Sequence, residues 1–164
     1  MSDRTDQPGN GEPGPTVTRV VNAPIDAVWA VLADGWSYPV WVVGASRVRD
    51  VDAGWPAVGT RIHHAFGPWP LVVQDYTRVD DAEPPIDLVM TARGWPVGEA
   101  RVHLHLEARG EGACEVSITE DATKGPGTLI PSPLRHLVLG PRNRETLYRL
   151  ALLAEGRHRD ATSS

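Results

Sequence analysis

Residues 131–157, PSPLRHLVLGPRNRETLYRLALLAEGR, constrain this chain more than any other stretch. Their apolar positions recur at helical spacing: Leu134, Leu137 and Val138, then Leu147, Leu150, Ala151 and Ala154, with Tyr148 and Leu152 widening the stripe. A helix this apolar must lie on something, because each Leu taken out of water contributes roughly 1.5–3 kcal/mol. The strand-like segments before it supply the surface. The pattern predicts a sheet gripping a helix, with a cavity between them. Gly140-Pro141 predicts a kink or a two-part helix, since proline lacks a backbone donor and clashes with the preceding turn.

The segments ahead of that helix read mostly as strands. Residues 16–22 are rich in β-branched side chains and predict an edge strand. A helix follows from Pro24, with Ile25, Val28, Trp29 and Leu32 on one stripe and Gly35 stopping it. A short second helix or turn over 37–42 is limited by Pro39. From residue 46 onward, alternating segments are separated by turns rich in Gly and Pro. In 61–66, Ile62, His64 and Phe66 share a face, and in 71–79 Leu71, Val73, Asp75, Thr77 and Val79 do. Ile86, Leu88, Met90 and Ala92 alternate likewise. The cleanest alternation points Ala100, Val102, Leu104 and Leu106 inward and His103, His105 and Glu107 outward. In the last strand Cys114, Val116, Ile118 and Glu120 share a face.

No βαβ alternation and no internal repeat shows, which argues against both a parallel sheet and a solenoid. The expectation is an α+β fold in one domain over 16–157, a disordered tail over 1–15 that is too polar to offset its ordering entropy, and a flexible tail over 158–164. A net charge of −5 over 164 residues, with no cluster of Lys and Arg among aromatics, argues against a nucleic-acid surface. No apolar run reaches the ~18 residues that span a bilayer. The N-terminus has no secretory signal pattern, and the single Cys114 forbids an internal disulfide, so a cytoplasmic protein is expected.

Several residue groups match a known pattern: the Ala23-Pro24-Ile25-Asp26-Ala27-Val28-Trp29 start of the first helix, Gly59-Thr60 before a strand, Glu120 ending the last strand, and Arg142-Asn143-Arg144-Glu145 with Leu147, Leu150 and Ala154-Glu155 in the final helix. On these residues the chain resembles the START-like, or SRPBCC, superfamily, and within it the bacterial polyketide cyclase/dehydrase-like proteins. The resemblance covers about 16–157. It implies a helix-grip fold: a curved antiparallel sheet wrapped around a long C-terminal helix, with one or two short helices after the first strand. The superfamily holds lipid carriers, hormone receptors, allergens and cyclases, so the resemblance implies a fold without choosing an activity.

Candidate site residues follow from face assignment. Glu120 carries a carboxylate among apolar neighbours and needs a partner, Arg142 or Arg144, unless it anchors a ligand. His64 and Asp75, inward on neighbouring strands, form a candidate catalytic acid/base pair. Trp41 and Trp69 are candidate gate residues, and Phe66, Met90, Val138 and Tyr148 complete the expected ligand-binding set with His64 and Glu120. His103 and His105 have the spacing of a two-histidine metal clamp, yet they stand on the outward face with no third ligand nearby in sequence, which favours a solvated polar face. No metal and no cofactor is expected. Phosphate-binding loops, CxxC pairs and the Gly-x-Ser-x-Gly elbow are all missing.

Three functions fit these residues. The leading one is binding of a small hydrophobic molecule of lipid, polyketide or isoprenoid type. An enzyme resembling polyketide cyclases or aromatases, using His64 and Asp75, is the alternative. The third is an interaction module with a filled core, which the volume of the interior separates from the other two.

Overall fold

The computed structural model describes residues 14–66, 70, 72–94 and 98–163. Seven strands form one sheet: β1 (Thr16–Val21), β2 (Ala45–Val51), β3 (Arg61–Phe66), β4 (Val73–Glu83), β5 (Asp87–Gly94), β6 (Gly98–Ala108) and β7 (Cys114–Lys124). Their order is β1-β7-β6-β5-β4-β3-β2, and every neighbouring pair is antiparallel. Consecutive strands from β2 to β7 lie side by side. The chain crosses from one edge, β1, to the other, β2, through α1 (Ile25–Leu32) and α2 (Tyr38–Trp41). The long helix α3 (Ser132–Thr162) packs against β1, α1, α2 and β7. This is the expected helix-grip arrangement.

Alternation along each strand decides its inner face. Leu104, Leu106, Cys114, Val116 and Ile118 are buried while His103, His105 and Glu107 are exposed. Bulges between β2 and β3, between β4 and β5, and between β6 and β7 interrupt the ladders, and such insertions bend strands and increase their twist. Val28, Val31 and Leu32 of α1 close the same core, and Trp55 donates its indole N–H to the Leu32 carbonyl at 3.0 Å, tying a turn to the end of α1.

Helix α3 departs from the expected stripe. Its second half behaves as predicted: Leu147, Leu150, Ala151 and Ala154 are buried. Its first half does not, since Leu134 is 50%, Leu137 70% and Val138 61% exposed. The sheet offers this half an open hollow instead of a packed surface. Tyr148 and Leu152 also face outward, and the Arg19 guanidinium lies over the Tyr148 ring at 4.9 Å from its centroid. Pro141 sits inside α3 without splitting it in two. Pro141 and Leu137, whose carbonyl loses its helical donor there, are both exposed, so water reaches that face. The helix also extends past 157 to Thr162: Arg157 pairs with Asp34 at 2.8 Å, and the Thr162 hydroxyl donates to the His158 carbonyl.

Candidate functional site

Strand register determines where the interior is filled and where it is hollow. One row across β5, β6 and β7 reads Leu88, Leu104, Ile118; the next reads Met90, Val102, Glu120; the next reads Ala92, Ala100, Ala122. The third row drops the inward side chains to three alanines in line. Over them lies a cavity of about 370 Å3, walled by Tyr38 and Val42 of the α2 region, Ala45 and His64 of β2 and β3, and Leu134, Val138 and Arg142 of α3. The half-exposed Leu134 and Val138 of α3 are therefore cavity wall.

Three polar features face this hollow. The first is His64, only 2% exposed. Its Nε2 lies 2.9 Å from the Thr77 hydroxyl, which is 3.0 Å from the Tyr38 hydroxyl, and the Tyr38 and His64 rings stack at 5.4 Å. Its Nδ1 is buried without a hydrogen-bond partner. Burial pushes the imidazole below its ordinary pKa, against a weaker upward pull from the Asp75 charge. His64 is thus neutral at pH 7. Burial likewise pushes the Tyr38 phenol up, so it stays protonated.

The second feature is an ion pair. Glu120, almost fully buried, accepts a 2.8 Å hydrogen bond from Arg142 Nη1, and Arg142 Nε donates to the Val43 carbonyl at 3.2 Å. Arg144, the other partner considered from sequence, is exposed. The third is a side pocket of about 20 Å3, room for about one water, which shares Tyr38, Val42, Ala92, Glu120 and Arg142 with the main cavity. Trp41 Nε1 and Asn143 Nδ2, both buried and without a partner, belong to residues lining it.

The structure distributes the remaining candidates unevenly. Asp75 stands directly opposite His64 in the β3–β4 register, but its Oδ1 accepts from the Tyr76 backbone N–H at 2.9 Å and it is not among the cavity-lining residues. Met90 and Trp41 line the side pocket, not the main cavity. Trp41 is 3% exposed and packs edge-on against Tyr38 at 5.4 Å, so a gating position at the surface is replaced by a core one. Tyr148 points away from the cavity, as above. Trp69 lies outside the described residues, and so does the side chain of Phe66. Tyr38, Thr77 and Asn143 were missed by sequence reasoning. Two signals were available: alternation places Thr77 inward, and Asn143 stands in the Arg142-Asn143-Arg144-Glu145 group that carries the resemblance.

On the opposite face of the sheet, His103 Nε2 lies 2.6 Å and His105 Nδ1 2.9 Å from the same oxygen, Asp87 Oδ1. Partial burial pushes the Asp87 carboxyl up, but hydrogen bonds from His103 and His105 outweigh it and hold the group below the usual carboxylate range. Cys114 is buried, and burial raises its thiol pKa, as befits a core residue.

Fold and cavity together define an α+β helix-grip domain. Solved structures share it at low sequence identity. The Zhui aromatase/cyclase from a Streptomyces species superposes with a TM-score of 0.66 at 18% identity, over 87% of this chain and 93% of that one. A conserved protein from Geobacillus kaustophilus gives 0.65 at 13% identity, over 87% and 95%. A START superfamily protein from Mycobacterium smegmatis gives 0.62 at 15% identity, over 92% and 99%. No curated protein is similar enough in sequence to match. The profile of the family described as polyketide cyclase / dehydrase and lipid transport matches residues 15–155, and the chain belongs to that family. Among the described residues, no helix is long and apolar enough to cross a membrane.

Proposed function

We propose that this protein binds a small, mainly apolar molecule of lipid, polyketide or isoprenoid type in the cavity over Ala92, Ala100 and Ala122, with an oxygen of that molecule held by His64. The carrying observation is a hollow of about 370 Å3 over the alanine row with the buried His64 in its wall. A buried donor or acceptor without a partner costs about 1–3 kcal/mol, which a ligand oxygen or hydroxyl recovers on binding. The volume falls within the usual range of ligand sites, roughly 300–1,000 Å3, and argues against the interaction module with a filled core. Trp41 Nε1 and Asn143 Nδ2 offer two further donors to a second oxygen, or to a water between it and the protein. With a lone free Cys114, the cytoplasm is the compartment we assign to this binding. Native mass spectrometry of the protein from its own cells, followed by denaturing extraction, tests the reading. A retained apolar molecule that His64→Ala releases supports it; an empty cavity whose tryptophan fluorescence no apolar ligand alters defeats it.

The linked hydroxyls behind His64 favour a second, cyclase-like reading. Tyr38, Thr77 and His64 Nε2 form a chain along which a proton can be handed, and Asp75 supplies a charge to an imidazolium formed in a reaction. This reading expects His64→Ala and Asp75→Ala to lose rate while ligand affinity persists, with a bell-shaped pH-rate profile for the native protein.

A further inference from the structure

We propose that Asp87, His103 and His105 form a binding site for a late first-row divalent cation such as Zn2+ on the outer face of the sheet. The spacing of His103 and His105 places both imidazoles on one face of β6, and it lacked a third ligand in sequence. The register supplies one. Asp87 of β5 is the direct cross-strand partner of His105, and Val89, two residues on, is the partner of His103. All three donor atoms lie within 4.8 Å of one another, and among the described residues this is the one such group of His, Cys, Asp and Glu side chains.

Two imidazole nitrogens and one carboxylate oxygen are a donor set that late divalent ions favour over Mg2+ and Ca2+, which prefer oxygen alone. Neighbouring ligands of a tetrahedral Zn2+ stand about 3.3 Å apart given its ~2.0–2.1 Å bonds, so Asp87 must retreat from each nitrogen by a few tenths of an ångström. The three side chains are 28–46% exposed, which leaves them free to adjust and leaves remaining coordination positions to water or an exogenous ligand. Glu83, across from Asp87 on β4, adds a second carboxylate on that face. The site is separated from the cavity by the thickness of the sheet, so neither depends on the other.

Calorimetric titration of the intact protein with Zn2+ near neutral pH tests the assignment. One ion per chain with micromolar affinity is expected, weakened about tenfold or more by each of Asp87→Asn, His103→Gln and His105→Gln. His136→Gln, at an exposed position of α3, leaves it unchanged. With Cu2+ in place of Zn2+, electron paramagnetic resonance should show hyperfine coupling to two imidazole nitrogens in the native protein and to one in His103→Gln. Hydrogen bonding alone explains the trio if Zn2+ fails to bind below millimolar concentration, or if binding survives in His103→Gln/His105→Gln; either result overturns the proposal.

Discussion

Arg142 of α3 reaches across to Glu120 on the inner face of β7 and closes a 2.8 Å hydrogen-bonded ion pair at the edge of the cavity. The carboxylate is nearly buried and the guanidinium about a quarter exposed, so the pair joins helix to sheet beside the hollow. Removing one partner strands a charge in a place that water reaches poorly. Arg142→Met should lower stability by about 3 kcal/mol, the lower end for breaking a buried pair because Arg142 retains some solvent. The double variant Glu120→Gln/Arg142→Met should cost less than the two single changes added together. Urea unfolding of the four proteins measures both quantities.

The alanine row creates the cavity by omission. Ala100→Leu extends a side chain into the hollow, flanked in register by Ala92 and Ala122. The expected result is at least a tenfold loss, about 1.4 kcal/mol, in affinity for 1-anilinonaphthalene-8-sulfonate or any ligand found by extraction, with the midpoint of thermal unfolding unchanged or raised. Unchanged affinity would place the ligand elsewhere.

Folding holds His64 below its ordinary pKa of about 6.5, so acid destabilises the native state through this residue. Between the lowered native value and about 6.5, the unfolded chain binds a proton that the native chain does not. Stability therefore falls as pH drops through that window, by up to about 1.4 kcal/mol per pH unit, and is unaffected by His64 above it. The difference between the native protein and His64→Gln, followed by urea unfolding from pH 8 to 5, should shrink steadily below about pH 6.5. A difference independent of pH would mean that the imidazole titrates freely.

Helix α3 should respond to truncation in two different ways along its length. Leu150→Ala, at a fully buried position, is expected to cost about 2–5 kcal/mol. Leu137→Ala, on the exposed first half, should stay within about 0.5 kcal/mol. Thermal or urea denaturation of the two variants separates the half that holds the fold from the half that walls the cavity.

Tyr38→Phe removes one hydroxyl from the buried chain and should cost about 1 kcal/mol. It should also change the His64 tautomer balance, visible in the two ring nitrogen shifts by NMR, because Thr77 loses its second partner. An unchanged ring signal would show that Thr77 does not relay between the two.

The elements of this protein were legible because each is written locally. The alternation of Val102, Leu104 and Leu106 against His103 and His105 places an inner and an outer face from side-chain geometry alone, and the apolar stripe of Leu147, Leu150 and Ala154 marks a buried helix. Those patterns established an antiparallel sheet, a gripped helix, the inward position of His64 and Glu120, and the need of Glu120 for a cationic partner. They do not contain register. Whether His64 comes within reach of Thr77 and Asp75, whether three alanines fall in one row, and whether His103 and His105 find Asp87 depend on how strands slide past one another, a long-range choice made by the whole core. Helix α3 shows the same division. Its periodicity runs through both halves alike, yet only the second half joins the packed core; the first half shares a hollow with the three alanines, since burial depends on what stands opposite as much as on the helix itself.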